Sequence, residues 1–483
     1  MEQKKKLAVF FGAVGAVLLA LIVLLVVLLG QSCSQRIPSE LDGPGSSAGT
    51  SDLPDAPTAS DPSALPTDGD SDPDVTSDTP ANGTTKAGDK MQTTTRKNSD
   101  TSGPAKTTAS SGSAATTTKG APKVDTTIDT AKYNLYTYTR PYWEGDTVYN
   151  ESVYPMTTAD GKNETITLLY PATKIVEVRS SDLKTVYKEG KDYQLVDGKL
   201  TIPAGSSIRV NKYGDYYYSS NAGKENNSVK TANGYMYFSE GPTFHNAQIA
   251  VTYRHSAKWS GPVPAKQGKS LPRLSSTIAD RGGLNIVFFG DSISCGANAS
   301  STVGASPMSP KWTEMFVQGL EAQGVTVTSY NTAVGGQVSS FGVTNVKARI
   351  TRYTPDLVVL GFGMNDSSQW NSTSVTQYRD NIRATIVQIR EQLPNCEIIL
   401  LGSIVPNPEA VEFVGNGAIP QYTEELRKLA DQYDGVVMAN MTEIHRHILT
   451  RKSYRDITGN NVNHPNDFIS RMYAQVLLRT VER

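Results

Sequence analysis

Three residues of this chain are placed as chemistry would place them. Ser292 follows Gly290-Asp291 at the end of the apolar run Leu284-Asn285-Ile286-Val287-Phe288-Phe289. Asn365 lies in Gly363-Met364-Asn365-Asp366, just after Leu357-Val358-Val359-Leu360, and His464 lies in Asn463-His464-Pro465 near the C-terminus. A serine hydroxyl is a poor nucleophile at its free pKa and needs a base within hydrogen-bond reach, for which His464 is the candidate. Charge developing on an attacked carbonyl oxygen needs fixed donors, which an asparagine amide and backbone N–H groups can supply. Together these parts suit acyl transfer, and the 172 residues between serine and histidine are no obstacle if both reach one sheet edge.

The surrounding pattern supplies such an edge. From about Leu284 strand-like and helix-like segments alternate: strands at 284–289, 325–330, 356–361, 397–404 and 436–440, and helices at 312–323, 375–392 and 421–433. Ser309-Pro310 reads as a helix start, and Ser374 with Gln377 as a capping box. The pattern predicts a doubly wound parallel sheet, whose strand C-termini are where open α/β sheets keep their sites.

Four blocks in order, Gly290-Asp291-Ser292-Ile293, Asn331-Thr332-Ala333-Val334-Gly335-Gly336, Gly363-Met364-Asn365-Asp366 and His464-Pro465, resemble those of the SGNH (GDSL-type) hydrolases. The resemblance covers roughly residues 284–483 and implies a flavodoxin-like sheet. It implies Ser292 as nucleophile, His464 as base, and an oxyanion hole from the backbone N–H groups of Ser292 and Gly336 and the side-chain amide of Asn365. Asp291 and Asp366 are then expected to brace their loops through backbone N–H groups. One position departs from the family: most members carry an aspartate three residues before the histidine, where this chain has Asn461. Asn461, a folded-back Asp456 or a backbone carbonyl remain alternatives for orienting the imidazole. His245, His255, His445 and His447 read as structural or exposed, with His255 a candidate for the contact between two domains.

The rest of the chain divides by composition. Lys4-Lys5-Lys6 precede an uncharged apolar stretch from Leu7 to Gly30. As a helix it would be about 36 Å long, enough to cross a hydrocarbon core of about 30 Å. Residues 1–33 are therefore expected to be a cytoplasmic tip and membrane anchor, which sends the remainder outward; a cleaved signal peptide is the alternative. Residues 34–125, rich in Ser, Thr, Asp and Pro, are expected to be a disordered tether. Residues 126–270 hold 16 of the 23 tyrosines and β-type runs, with Asp197-Gly198 as a tight-hairpin signal; they predict a β-sandwich ahead of the hydrolase domain at 271–483. Tyr213, Tyr216, Tyr217 and Tyr218, with Trp143, could form a platform for sugar rings.

A net charge of -1 gives no sign of a nucleic-acid partner. Three cysteines at these spacings make neither a disulfide framework nor a metal site, so Cys295 and Cys396 read as buried thiols. No cofactor or metal is expected.

A β-sandwich ahead of an SGNH domain is similar to the two-domain carbohydrate acetylesterases of the family-2 type. That similarity implies removal of O-acetyl groups from an extracellular polysaccharide. The alternatives are an esterase or lipase for longer acyl chains, and a glycan-binding surface protein whose hydrolase fold is idle. The short polar segment Asp366-Ser367-Ser368-Gln369-Trp370-Asn371-Ser372-Thr373 has no apolar lid, which favours small acyl groups and makes Trp370 a candidate substrate-binding residue.

Overall fold

The computed structural model describes residues 125–483, so the anchor and tether expectations lie outside the described residues. Among these, no helix is long and apolar enough to cross a membrane.

Five strands, β1 (Gly283–Gly290), β2 (Thr326–Asn331), β3 (Leu357–Gly361), β4 (Glu397–Leu401) and β5 (Val436–Ala439), form a parallel sheet in the order β2-β1-β3-β4-β5. This is the flavodoxin-like order that the SGNH resemblance implies. The central strands are continuous apolar runs because both faces are covered: Ile286, Val287, Leu357, Val358, Ile398 and Ile399 are fully buried. The register pairs Gly290 with Gly361, so Ser292 and Asn365 leave the sheet side by side. A Cβ on Gly290 would lie 2.0 Å from the Gly361 carbonyl oxygen and 2.5 Å from Ser294 Oγ, which is why the first motif needs glycine there. The helix Val375–Gln392 has its expected bounds, with Ser374 Oγ accepting from the Gln377 N–H. The helix expected over 312–323 runs Trp312–Glu321, but its N-cap is Lys311 and not Ser309, whose N–H is taken by Ser300 Oγ at 2.8 Å.

The strands between residues 125 and 270 pair antiparallel in three sheets. Thr147–Val153, Ile249–His255, Ala172–Ser180 and Val186–Tyr187 form the largest in that order, and Gln194–Val196 with Lys199–Thr201 make a hairpin. Asp197 (φ 50°) and Gly198 (φ 75°) turn that hairpin in the left-handed region that Asp-Gly tolerates. Tyr217–Tyr218, Gly234–Tyr237 and Ser228–Thr231 form the third sheet.

The apolar core does not stop near residue 270. Val153, Ile175, Val178, Val251 and Tyr253 of the large antiparallel sheet belong to one buried cluster with Leu284, Ile286 and Phe288 of β1. Polar contacts cross the same seam. Buried Lys452 pairs with Glu151 at 2.7 Å and Asp456 at 3.5 Å, and Gln248 Nε2 donates to the Arg455 and Thr458 carbonyls. Asn466 Nδ2 donates to Ser152 Oγ at 2.8 Å. The chain from Lys452 to Asn466, which carries His464, is thus held from the β side. Removing one partner of a buried ion pair costs about 3–5 kcal/mol, so this seam is a fixed joint. His245, not His255, reaches across it, to the Ser306 carbonyl at 2.9 Å, whereas His255 stacks on Tyr170 within the β segment.

Cys295 and Cys396 are buried thiols, as expected. His445 is fully buried against Tyr454, and burial pushes its pKa down to about 3, so it is a neutral packing residue.

Candidate active site

β1 ends at Gly290, and Asp291 caps the short helix Ser292–Cys295 by accepting the Ile293 N–H at 3.0 Å. Ser292 is the first residue of that helix, so its N–H has no acceptor inside it. The Ser292 hydroxyl is 2.9 Å from His464 Nε2, and each residue is only 8% exposed.

The second block passes alongside. Val334 N–H donates to the Gly290 carbonyl, and a Cβ on Gly335 would make ordinary contact, 3.7 Å, with the Ser292 Cβ. Gly336 has φ 76°, a conformation that favours glycine. The Asn365 amide donates one N–H to the Gln337 carbonyl at 3.0 Å, which ties the third block to the Gly336 turn and leaves a second N–H for another acceptor. Asp366 accepts the Ser339 N–H and hydroxyl, bracing the loops as expected. Its carboxyl is nonetheless raised above the ordinary range, because burial outweighs those bonds. Ser292, Gly336, Asn365 and His464 therefore converge at the C-terminal edge of the sheet, in an arrangement able to attack an acyl carbonyl and hold the resulting oxyanion.

The expected orienting residues do other work. Asn461 accepts from Tyr216 OH at 2.7 Å and donates to the Tyr237 carbonyl at 2.7 Å; Asp456 accepts the Tyr154 N–H at 2.8 Å and faces Lys452. At His464 Nδ1 stand two residues that the sequence reading missed: Asn298 Oδ1 at 2.7 Å and Glu240 Oε2 at 3.0 Å. Neither lies in a family block. Glu240 is a lone carboxylate between a strand and a short helix, and no spacing rule could link it to a histidine 224 residues away.

Burial by itself would raise the Glu240 carboxyl, but the facing His464 and the bonds from His464 and Asn460 hold it below its usual range. Of the Glu240 side-chain surface, 46% meets solvent. Solvent therefore screens the pair, and its charge effect is smaller than full burial would give.

Asp291 is the buried carboxyl beside Ser292 in the chain, and burial pushes its pKa from 3.8 up to about 7, with the Ile293 N–H opposing and Asp366 adding repulsion. A folded-state value above the unfolded one means that the folded chain holds more protons across this window. The Asp291 contribution to stability is thus greatest below about pH 4 and is lost as pH rises toward 7. Relative to wild type, Asp291→Asn is expected to gain melting temperature steadily from pH 4 to 7 and then level off. A difference that stays flat across that range in thermal melts would refute the assignment.

Of the aromatic platform, Trp143 packs against Tyr142 beside the main core and does not line the tyrosine groove, and Tyr216 is 2% exposed, so it cannot stack a ligand. Tyr213, Tyr217 and Tyr218 do line a groove of about 750 Å³ with Tyr235, Glu409 and Arg455. Trp370 is 59% exposed and touches Phe413 edge-on.

The sequence profile of the GDSL-like lipase/acylhydrolase family matches residues 288–470. No curated protein matches the chain significantly in sequence. Among solved structures, a two-domain esterase active on acetylated mannans aligns at 20% identity and TM-score 0.35, over 45% of this chain and 53% of its own. An acetylxylan esterase from Geobacillus stearothermophilus aligns at 16% identity and TM-score 0.34, over 41% of this chain and 94% of its own. The chain thus spans about half the length of the two-domain esterase, and likenesses this partial carry no argument about substrate. Residues 288–470 thus match the GDSL-like lipase/acylhydrolase family, and it is within this stretch that Ser292, Gly336, Asn365 and His464 converge.

Proposed function

We propose that the protein is a serine esterase that removes O-acetyl groups from an extracellular polysaccharide through an acyl-enzyme on Ser292. The observation that carries the chemistry is the 2.9 Å contact between Ser292 Oγ and His464 Nε2 beside the Asn365 amide and the Gly336 turn. Ser292 Oγ bonds to the acetyl carbon as its proton passes to His464 Nε2. The oxyanion is met by the N–H groups of Ser292 and Gly336 and by the Asn365 amide. Collapse breaks the ester C–O bond, and the sugar oxygen leaves with the proton from Nε2. Water then attacks the acetyl-serine, giving its proton to His464, and acetate departs as Ser292 regains a proton.

A glycan substrate is supported by Trp370, whose exposed ring stands five residues after Asn365 on a polar loop, and by the tyrosine-lined groove. Aromatic faces flanked by charged hydrogen-bonding groups suit sugar rings, which present C–H faces and hydroxyl edges. Tyr216, the buried chain neighbour of the groove residue Tyr217, donates its OH to Asn461 of the histidine loop. Outward placement rests on the lysines before residues 7–30, with residues 34–125 as the tether.

A longer-acyl reading draws on an apolar hollow of about 330 Å³ lined by Val405, Pro406, Val414, Ile419, Pro420 and Leu449. That lining includes none of Ser292, Gly336, Asn365 and His464. A panel of p-nitrophenyl esters from acetyl to octanoyl, run beside acetylated xylan, mannan and peptidoglycan, decides between the two. Acetyl esters are expected to be cleaved fastest, with a steep fall by butyryl or hexanoyl. Trp370→Ala should lower activity on acetylated glycan several-fold more than on p-nitrophenyl acetate. Faster cleavage of octanoyl than of acetyl esters would establish the longer-acyl reading instead.

A further inference from the structure

His464 Nδ1 faces a carboxylate that belongs to another part of the chain. Glu240 follows the strand Gly234–Tyr237 of the three-stranded antiparallel sheet and precedes the short helix Pro242–Asn246. Its Oε2 meets Nδ1 at 3.0 Å, and its Oε1 accepts from Asn460 Nδ2 at 3.1 Å. Its carbonyl accepts from Asn298 Nδ2 at 3.0 Å, and Asn298 turns its own Oδ1 to Nδ1 at 2.7 Å. Asn460 Oδ1 in turn accepts the N–H groups of Val462, Asn463 and His464. One asparagine therefore fixes both the histidine loop and the acid opposite it. Gly459 allows this close packing, since a Cβ there would lie 2.5 Å from the Asn298 Cβ.

We propose that Glu240 is the acid of a Ser292–His464–Glu240 triad assembled across the seam, a positioning residue that replaces the aspartate missing at Asn461. The β segment would then be part of the catalytic apparatus and not only an accessory to it. When His464 takes the proton of Ser292, the imidazolium gains a facing carboxylate, which a neutral amide cannot equal. Asn298 holds the ring plane and carries Glu240 by its carbonyl. The titratable groups facing the ring are Glu240 at Nδ1 and Asp291 beside Ser292 in the chain.

The inference rests on the serine–histidine reading above, and the test separates the two. In the full chain, with p-nitrophenyl acetate, Glu240→Gln is expected to lower kcat by about 10²-fold. That is less than the about 10⁴ seen for a fully buried triad acid, because Asn298 still holds the ring and solvent reaches Glu240. A carboxylate facing an imidazolium raises its pKa, so removing the charge should move the acid limb of the kcat/KM profile about one pH unit lower. Glu240→Asp, which keeps the charge, should recover much of the rate and leave that limb near its wild-type position. Melting temperatures of both variants report whether the fold is kept. Wild-type kcat and an unmoved limb in Glu240→Gln would overturn the inference, as would equal losses in both variants with the limb unmoved. If Ser292→Ala is inactive while Glu240→Gln behaves as wild type, only this inference fails; an active Ser292→Ala removes both.

Discussion

Ser292→Ala is expected to take ester hydrolysis down to the background left by oxyanion donors and binding alone, a loss of about 10⁶ in kcat where serine and histidine act as a unit. The side chain removed lies at the first turn of a helix and makes one side-chain hydrogen bond, to His464 Nε2. The packing that sets this turn belongs to other residues: Asp291 caps the helix, and Trp312 Nε1 donates to the Ile293 carbonyl at 2.8 Å. The melting temperature should therefore stay close to wild type. His464→Ala should cost nearly as much, and the double variant little more than either single one, since each removes the same chemical step. Turnover, melting and the double-variant comparison check this together. Additive losses would show that the two residues do not form one unit.

Asn365→Ala is expected to lower kcat by about 10²–10³ with little change in KM, because an oxyanion donor acts on charge that exists only in the transition state. The amide does have a second task, donating to the Gln337 carbonyl at 3.0 Å, so the Gly336 turn loses one tie as well. The two contributions separate kinetically. A loosened turn that merely weakened substrate binding would raise KM and spare kcat, and that outcome in steady-state kinetics would remove Asn365 from the oxyanion hole.

What could be read before folding and what could not divide along physical lines. Ser292 and Asn365 were legible because a buried parallel strand is a continuous apolar run, and its end is marked by the first glycine. The register of Gly290 with Gly361 then converts two sequence positions into one place. His464 was found through its block, but its orienting partners were not, because that pairing is made by packing the three-stranded sheet against the loop from Gly459 to His464. The motif position three residues before the base was misleading for the same reason: Tyr216 and the Tyr237 carbonyl occupy Asn461 from the β side. The helix Asp467–Thr480 went unread because residues all round it are buried, leaving no polar face to reveal a 3.6-residue period. Tyrosines illustrate the same limit, as Tyr216 and Tyr217 are neighbours in sequence, yet one is core and the other lines the groove.

The central claim is that Ser292 carries the acyl group, and covalent trapping tests it most directly. The full chain would be treated with a fluorophosphonate probe, which bonds to activated serines, and digested for peptide mass spectrometry while residual turnover of p-nitrophenyl acetate is followed. The account predicts stoichiometric labelling of Ser292, loss of activity in proportion to label, and no labelling in Ser292→Ala or His464→Ala. Label on another residue, or full turnover by a protein labelled at Ser292, would contradict it.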